Sequence, residues 1–475
     1  MRSLMLRLYG AFTRLSQPLV RRKLKKRAVA EPGYAVAVEE RFGMYDPVLT
    51  GQDWCWIHAV SLGEARAAGI LLIELRRQHP GVPILLTHGT ATGREEGARL
   101  LEPGDLQVWM PWDTPKAVAA FLDRFRPRIG VLMETEVWPE MTAACAERGI
   151  PLVLANARLN EKSLASAERL AWLARPAYGA LTAVWAQTEA DAHRLVSLGA
   201  KVEGVYGNLK FDAAPDIRQL AAADQLRASL PKPIVVFASS RDGEEQMLLE
   251  VLKRFGAAVP VPPAQAAINS IAKRVHDVQW MIVPRHPQRF DEVAALVASH
   301  GFGVARRSAA ADELSDAEIW LGDSLGEMAL YYGLAHVALL GGSFEPLGGQ
   351  NLIEAAACGC PVVMGPSTFN FAEAAELSLA AGAAQRVADM EQAVKAALAI
   401  VNNAAKRDAM VQAALAFSSS NRGAAQRTAA AVLALVQDVP RPVAGAGASG
   451  PAGVPAGASA ERTDPVLDDL SAPAD

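Results

Sequence analysis

The sequence predicts an α/β protein with two doubly wound, Rossmann-like domains. Short, continuously apolar segments alternate with amphipathic helical segments from Trp54 onward. This alternation is typical of parallel sheets that are covered by helices on both faces. It stops at a polar stretch, residues 212–232, and then begins again. The length of 475 residues also suits two or three domains better than one.

The apolar segments are short enough to be strands rather than helices. Those before the polar stretch are Trp54–Val60, Ile84–Thr87, Ile129–Met133, Leu152–Ala155, Ala183–Ala186 and Val202–Tyr206. Those after it are Ile234–Ala238, Trp280–Pro284, Gly303–Ala305, Ile319–Leu321, Val337–Leu340 and Pro361–Met364. Ligands of open α/β sheets bind beyond the carboxyl ends of the strands, so two such domains predict a ligand cleft between them.

The predicted domain boundaries follow from these changes of pattern. Residues 28–211 form the first domain, residues 212–232 a linker and residues 233–439 the second domain. A Pro/Ala-rich piece, residues 257–277, is predicted to be a surface insertion in the second domain. Residues 440–475 are rich in Ala, Gly and Pro and are predicted to be disordered, because they cannot bury a core.

The first 27 residues carry nine Arg and Lys side chains and no acid, although the whole chain has a net charge of −4. A chain with this net charge has no general affinity for nucleic acid, so a local anionic partner is expected instead. Apolar residues recur at helical spacing on one face of this segment, at Leu4, Leu8, Phe12, Leu15 and Leu19. The pattern predicts an amphipathic helix that docks on a membrane surface; the alternative is a helix packed on the protein's own body. Arg7 and Arg14 interrupt the apolar run, so a spanning helix is not predicted.

Four cysteines, at positions 55, 145, 358 and 360, show no metal-ligand spacing. Cys55 and Cys145 are interpreted as core thiols. The sequence therefore predicts no metal and no cofactor, and a reducing, cytoplasmic compartment.

The segment His58-Ala-Val-Ser-Leu-Gly-Glu64 runs from a strand into a helix. Ser61 and Glu64 have the spacing of a capping box, in which Glu64 would only terminate the helix. A carboxylate at the carboxyl end of a strand also faces the cleft, where a general base must lie. Spacing alone leaves both interpretations open.

Acidic and basic residues follow two further strands of the first domain. Glu134 and Glu136 come directly after Ile129–Met133, and Lys210 follows the last strand of the domain. The acids could support a catalytic group, whereas Glu136 could also be a partner of a helix dipole. Lys210 could reach a phosphate or carboxylate in the cleft, or it could be an exposed loop lysine.

In the second domain, polar or glycine-rich turns follow the strands. Pro284 and Arg285 end one strand, and an arginine there has the fork geometry that suits a phosphate. The turns Gly322–Glu327 and Gly341–Ser343 could present backbone N–H groups to an anion. Glu354, three residues after Asn351, could bind ribose hydroxyls or complete a capping box.

Taken together in their order, these motifs resemble the bacterial 3-deoxy-D-manno-octulosonic acid (Kdo) transferase family. The resemblance covers roughly residues 41–436. Its motifs are HAVSLGE, METEVWP, LANARLN, GNLKFD, VPRHPQRF, GDSLGEM, LGGSF, LIEAAACGCPVVMGP and TFNF. The resemblance implies a GT-B fold with an interdomain cleft, inversion at the anomeric carbon, CMP-Kdo as donor and no essential metal. It also implies the lipid A precursor lipid IVA as acceptor, and a location on the cytoplasmic face of the inner membrane.

The resemblance also implies roles for individual residues. Glu64 matches the family's proton acceptor, and Glu134 and Lys210 match positions that stabilise the transition state. The residues that match CMP-contacting segments are Pro284, Arg285, Leu325, Gly326, Glu327, Asn351, Leu352, Ile353 and Glu354. One departure is Gln350-Asn-Leu-Ile-Glu354, where many relatives have His-Asn-Pro-Leu-Glu; Asn351 and Glu354 are retained.

Two other functions share part of this pattern. A GT-B transferase or epimerase that acts on a UDP-sugar would have the same glycine turns and the late ribose-binding glutamate. A two-domain solute-binding protein would have the same cleft. It would need an export signal, however, and the charged N-terminal segment does not provide one.

Overall fold

Two parallel sheets of seven strands each form the framework of the protein. The computed structural model describes residues 4–49, 53–256, 275–309 and 317–438. The predicted tail, residues 440–475, and almost all of the predicted insertion lie outside the described residues. Every strand pair in both sheets is parallel, which confirms the predicted pair of doubly wound domains.

The first sheet has the strand order β3-β2-β1-β4-β5-β6-β7. Its strands are β1 (Cys55–His58), β2 (Ile84–His88), β3 (Leu106–Trp109), β4 (Ile129–Met133), β5 (Leu152–Ala157), β6 (Ala183–Ala186) and β7 (Val202–Val205). The chain adds strands outward from β1 on one side and then from β4 on the other. The switch point therefore lies between β1 and β4, where a crevice opens at the carboxyl ends.

The second sheet has the order β10-β11-β9-β8-β12-β13-β14, which differs from the first in that β11 lies between β9 and β10. Its strands are β8 (Ile234–Ser240), β9 (Gln279–Pro284), β10 (Val304–Arg306), β11 (Ile319–Leu321), β12 (Val337–Leu340), β13 (Val362–Met364) and β14 (Ala384–Arg386). Its switch point lies between β8 and β12. The inner strands of this sheet are buried on both faces, as their continuous apolar sequences predict, whereas the edge strands β10 and β14 are only partly buried.

Helices cover the sheets and the N-terminal end. The helices are α1 (Leu4–Leu15), α2 (Gln17–Ala30), α3 (Leu62–Gln78), α4 (Ala91–Ala98), α5 (Pro115–Phe125), α6 (Pro139–Glu147), α7 (Glu161–Arg169), α8 (Ala171–Gly179), α9 (Glu189–Ser197), α10 (Ile217–Ser229), α11 (Glu244–Gly256), α12 (Phe290–Ser299), α13 (Met328–Leu334), α14 (Leu352–Ala357), α15 (Ala372–Ala380), α16 (Met390–Val401), α17 (Ala404–Ser420) and α18 (Ala424–Asp438). Several begin at a hydroxyl N-cap, because the side-chain oxygen accepts an N–H that the helix leaves free. Examples are Ser61 before α3, Thr114 before α5 and Thr188 before α9.

The connection between the domains differs from the predicted boundaries. The stretch predicted as a linker contains α10, whose fully buried Ala223 packs against Gly333 of α13 in the second domain. The last helix, α18, lies within the range predicted for the second domain but packs on α3 of the first. The carboxylate of Asp212 accepts the backbone N–H groups of Gly423 and Ala425, at 2.5 and 2.6 Å. The chain therefore crosses between the domains twice, and Asp212 joins the two crossings.

The basic N-terminal segment forms two helices, α1 and α2, which meet at Ser16 and continue to Ala30, beyond the predicted end at residue 27. The inner face of α1 is small and polar, with Gly10 and Thr13 buried against the first domain. Its outer face exposes the apolar side chains at Leu4, Leu8, Phe12 and Leu15, and Leu19 of α2 continues the row. Among the described residues, no helix is both long and apolar enough to cross a membrane.

We expect α18 to contribute to the stability of the first domain. Leu433→Ala removes a buried side chain from its contact with α3 and should lower the free energy of unfolding by about 2 kcal/mol or more. Tryptophan fluorescence during urea unfolding measures this, since seven of the nine tryptophans lie in residues 28–211. Leu226→Ala on the exposed side of α10 is the control, with a change within about 0.5 kcal/mol. Equal effects of the two variants would contradict this placement of α18.

Candidate active site

Glu64 lies in the first turn of α3, directly beyond the carboxyl end of β1 and beside the switch point of the first sheet. Its carboxylate accepts the N–H of Val60 at 2.8 Å and the hydroxyl of Ser61 at 3.2 Å. The Ser61 hydroxyl in turn caps the N–H of Glu64, at 3.4 Å. The predicted capping role is therefore confirmed, and the same contacts hold the carboxyl group at the mouth of the crevice.

The environment of Glu64 changes its acidity. The pKa of the Glu64 carboxyl is raised to about 7: burial is the largest cause, the nearby charges of Glu134 and Glu136 act in the same direction, and its two hydrogen bonds oppose them. A carboxyl group with a pKa near neutrality exchanges a proton readily at the pH of the cell. Strongly shifted carboxyl groups in a crevice are also typical of catalytic acids and bases.

Glu134 is buried directly beyond β4, the strand next to β1 in the sheet. Arg158 donates to its carboxylate at 2.7 Å, and the ammonium group of Lys210 lies 3.7 Å from its other oxygen. Its backbone has φ = +58°, which is rare for a glutamate because the side chain crowds the carbonyl oxygen. Such strain persists only where surrounding contacts hold it, and it is common at functional sites.

Lys210 is shared between the two domains. Its ammonium group lies between the Glu134 carboxylate of the first domain and the ring of Phe371 in the second, 5.6 Å from the ring centroid. Asn156, which also has a positive φ of 51°, accepts the N–H of Leu209 at 3.0 Å and so holds the turn that carries Lys210. Glu134 and Lys210, which were predicted separately as site residues, are thus brought together.

Three of these contact residues were not predicted individually: Asn156, Arg158 and Phe371. Each lies in a segment that carried the family resemblance, LANARLN for the first two and TFNF for the third. Their contact partners are distant in sequence, so no local pattern predicted these contacts. Only the family resemblance indicated that the two segments are functional.

On the second domain, Arg285 follows Pro284 at the carboxyl end of β9. Its backbone N–H donates to the Ser240 carbonyl of β8 at 3.0 Å, which places the side chain beside the second switch point. Burial lowers the pKa of the Arg285 guanidinium, and the nearby cations Arg66 and Arg241 lower it further. Several like charges brought together in this way favour binding of an anion.

Glu354 lies in the first turn of α14, after β12. Asn351 caps this helix, accepting the N–H of Ile353 at 3.1 Å, and its amide donates to the Glu354 carboxylate at 3.0 Å. Leu352 and Ile353 are buried. Burial raises the pKa of the Glu354 carboxyl, and the charges of Arg66 and Arg285 oppose this. Since Arg66 belongs to α3, the first turns of α3 and of α14 face the same cleft.

The remaining predicted segment, Leu325-Gly326-Glu327, forms a separate group at the start of α13. Glu327 accepts the hydroxyl of Ser324 and pairs with Arg307 at 3.1 Å. The Gly326 carbonyl accepts the amide of Gln219 from α10 at 2.8 Å, and Leu325 is exposed. These contacts place the segment beyond β11 but do not join it directly to Arg285 or Glu354.

The turn after β12 is already occupied by a protein group. Buried Glu244 of α11 accepts the N–H groups of Gly342 at 2.7 Å and of Phe344 at 3.0 Å. These two donors are therefore not available to a ligand. The sequence had instead predicted that the Gly341–Ser343 turn could present its N–H groups to an anion. Among the residues that the structure describes, no group of three His, Cys, Asp or Glu side chains could hold a metal ion.

Comparison with known proteins gives consistent similarities. The family model of 3-deoxy-D-manno-octulosonic-acid transferase (kdotransferase) matches residues 37–213. A 3-deoxy-D-manno-octulosonic acid transferase of Bordetella pertussis is 44% identical over 382 residues, which is 78% of this chain and 85% of the relative. The solved C-terminal CMP-Kdo binding domain of WaaA from Acinetobacter baumannii is 30% identical, with a TM-score of 0.36, over 42% of this chain and 98% of that domain. A solved glycosyltransferase from Rickettsia africae ESF-5 is 13% identical with a TM-score of 0.52, over 82% of this chain and 100% of the other, and confirms the GT-B type fold.

The raised pKa of Glu64 predicts a pH-dependent effect of its replacement on stability. The folded carboxyl holds its proton up to about pH 7, whereas in the unfolded chain the pKa is near 4.5. The folded state is therefore destabilised as pH rises between these values, and the full cost is present above pH 7. Glu64→Gln should raise the free energy of unfolding by up to about 3 kcal/mol at pH 8 and by nothing at pH 4.5.

Urea unfolding at the two pH values measures this difference. Glu39→Gln is the control, since Glu39 is exposed and its ion pair with Arg21 lowers the pKa of its carboxyl. It should give no gain in stability at pH 8. A Glu64→Gln variant whose stability relative to wild type is the same at both pH values would contradict the raised pKa.

Proposed function

Because the chain belongs to the 3-deoxy-D-manno-octulosonic acid transferase family, we propose that it transfers Kdo from CMP-Kdo to lipid IVA with inversion at the anomeric carbon. The chain is a glycosyltransferase, as its motifs predicted. The observation that carries the proposed chemistry is Glu64, a buried carboxyl with a pKa near 7 across the cleft from Arg285 and Glu354. Membership of this family also favours Kdo transfer over the chemistry of a UDP-sugar.

The proposed reaction is an in-line displacement. The oxygen of an acceptor hydroxyl attacks the anomeric carbon of Kdo, while the bond from that carbon to the phosphate oxygen breaks and CMP leaves with both bonding electrons. Ionised Glu64 accepts the proton of the attacking hydroxyl. Its pKa near 7 suits this role, since it is a stronger base than an ordinary carboxylate and yet is substantially ionised at neutral pH.

The charges around Glu64 match those that develop in such a reaction. Positive charge grows on the sugar ring, and buried Glu134 supplies negative charge on the first domain. Negative charge grows on the departing phosphate, and Arg285 supplies positive charge from the second domain. Lys210, held by Glu134, is placed to stabilise either the phosphate or the carboxylate of the sugar. Glu134 and Arg285 thus stabilise the charges that develop at the two ends of the bond between the anomeric carbon and the phosphate oxygen.

The nucleotide is proposed to bind on the second domain. Glu354 supplies a carboxylate for the two ribose hydroxyls, and capping by Asn351 holds it at the start of α14. Buried Leu352 and Ile353 fix this turn, and Pro284 fixes the loop that carries Arg285. Leu325, Gly326 and Glu327 are assigned to the nucleotide site by the family resemblance alone; they form a separate group beyond β11, where the Leu325 side chain is exposed.

The lipid acceptor requires that the cleft be close to a membrane. The outer face of α1 exposes a row of large apolar side chains, including Phe12 at 69% and Leu15 at 81%. Nine cations accompany them in residues 1–27. Because α1 packs on the first domain through its other face, the apolar row is not used for the protein's own core. We infer that this face docks on the anionic cytoplasmic surface of the inner membrane.

Two substitutions should separate base catalysis from nucleotide binding. Glu64→Gln removes the base and should lower kcat by about 10²–10⁴-fold, with the affinity for CMP unchanged. Arg285→Ala should instead weaken CMP binding, and Arg254→Ala, an exposed arginine paired with Glu391, is the control. Mass spectrometry of the glycolipid product and calorimetric titration with CMP measure these effects. Wild-type turnover by Glu64→Gln would refute the base, and unchanged CMP affinity of Arg285→Ala would exclude it from the nucleotide site.

Membrane docking should depend on the apolar row of α1. The double variant Leu8→Gln/Phe12→Gln should bind vesicles of phosphatidylglycerol and phosphatidylethanolamine at least about tenfold more weakly, because the row no longer enters the interface. High salt should weaken binding of the wild-type protein as well. Ile73→Gln is the control, an apolar residue of α3 that is 70% exposed. If the double variant sediments with vesicles like the control, the docking face lies elsewhere.

A further inference from the structure

Asp113 is a buried carboxylate outside the proposed chemistry, in the loop between β3 and α5. It accepts three hydrogen bonds of 2.9 Å, from the N–H groups of Glu140 and Met141 and from the hydroxyl of Tyr9. Burial raises its pKa to about 6, against the effect of these three donors. The titratable groups that face it are Tyr9 of α1 and Glu140 and Cys145 of α6. A buried carboxylate with three donors holds those donors firmly in place.

Two of these donors belong to the first turn of α6, so Asp113 fixes where that helix begins. The residues immediately before it, 134–138, connect β4 to α6 and carry both Glu134 and Glu136; we call them the acidic loop. One end of the acidic loop is fixed by the sheet and the other by Asp113. The position of both carboxylates therefore depends on the start of α6 as well as on β4.

The third donor comes from the docking helix. Besides the Tyr9 hydroxyl, α1 offers the Thr13 carbonyl, which accepts the indole N–H of Trp112 at 3.3 Å. Gly10 brings the helix backbone close to the same place, since a Cβ there would lie 3.0 Å from Pro115 and 3.8 Å from the Glu140 carboxylate. Trp112 in turn packs on Trp138 of the acidic loop, with ring centroids 6.2 Å apart. Helix α1 thus contacts Asp113, which holds the start of α6, and Trp112, which packs on the acidic loop.

From these contacts we propose that α1 is a brace for the active site as well as a docking helix. Tyr9 and Asp113 are the positioning residues, and they hold the acidic loop at the distance that Glu64 requires. This inference rests on the proposed function only for its effect on turnover. Glu134 and Glu136 raise the pKa of Glu64, so a displaced acidic loop changes the base as well as its surroundings.

The variant Tyr9→Phe tests the brace, because it removes one donor and keeps the ring. Tyr34→Phe is the matched control: its hydroxyl accepts a hydrogen bond from Arg27 in the same N-terminal segment, and its ring stacks on Trp109. In Tyr9→Phe, amide hydrogen exchange in residues 134–141 should become at least about tenfold faster. The kcat should fall about tenfold or more with the KM for CMP-Kdo unchanged, since positioning and not binding is lost. Vesicle binding should stay at the wild-type level.

The pH profile separates positioning from a general loss of stability. If the acidic loop moves away from Glu64, the pKa of Glu64 falls, and the acidic limb of the kcat profile moves to lower pH. Tyr34→Phe should leave the limb in place. A second variant, Gly10→Leu, should act in the same direction as Tyr9→Phe, because it pushes α1 away from Pro115 although every hydrogen-bonding group is kept.

Unchanged exchange in residues 134–141 of both Tyr9→Phe and Gly10→Leu would overturn the proposal, as would an equal effect of Tyr34→Phe. The exchange measurement needs no substrate. It therefore decides on the brace even if the wild-type protein transfers no Kdo, a result that would refute the proposed function instead.

Discussion

Three carboxyl groups, those of Glu64, Glu134 and Glu136, are held largely away from water at the carboxyl edge of the first sheet. Burial of a charge is costly, so each group must find donors, a cation or a proton. Glu134 has Arg158 and Lys210. Glu64 accepts hydrogen bonds from Val60 and Ser61 and has no cation within ion-pair distance among the described residues, and its pKa is raised to about 7. The capping contacts of Glu64 and the placement of Arg158 and Lys210 beside Glu134 meet this requirement.

This arrangement shows why a helix cap and a catalytic base need not be alternatives. The Val60 and Ser61 donors orient the Glu64 carboxyl but do not neutralise it, so it remains able to take a proton. The arrangement also explains why the site lies at a switch point. Only between β1 and β4 do two neighbouring strands lead into loops on opposite sides of the sheet, which leaves room for a substrate above both.

The sequence predicted the fold class well because the central strands are apolar on both faces. All twelve predicted strands exist, and four, including Ile129–Met133 and Val337–Leu340, have the predicted bounds. The two strands that were missed, β3 and β14, are edge strands, with polar residues such as Gln107 and Arg386 in a short pattern. The predicted N-terminal helix is divided into α1 and α2 at Ser16, just before Pro18, which has no backbone N–H to donate, although Ser16 itself keeps helical backbone angles.

For the candidate site, the local patterns predicted helix starts and strand ends, but not partners. Ser61 with Glu64 and Asn351 with Glu354 are close in sequence, so their contacts could be inferred from spacing. Asp113 and Tyr9 lie 104 residues apart in the sequence, and no local pattern indicates such a pair. The positive φ of Glu134 was equally hidden, because glutamate rarely adopts that conformation; asparagine adopts it more readily, but Asn156 lies in a strand, where no turn pattern indicated it. The roles of the site residues remain predictions that the experiments above decide.

The double crossing at Asp212 has a consequence for motion. A body on a single tether can swing and twist in any direction, whereas a body held at two points rotates chiefly about the line that joins them. Here the two points lie side by side, because one carboxylate holds the second crossing against the first. The two crossings therefore act together as one hinge. Any opening or closing of the cleft would then require backbone rotations in the few residues around Asp212 and Gly423, and Lys210 is only two residues away from Asp212.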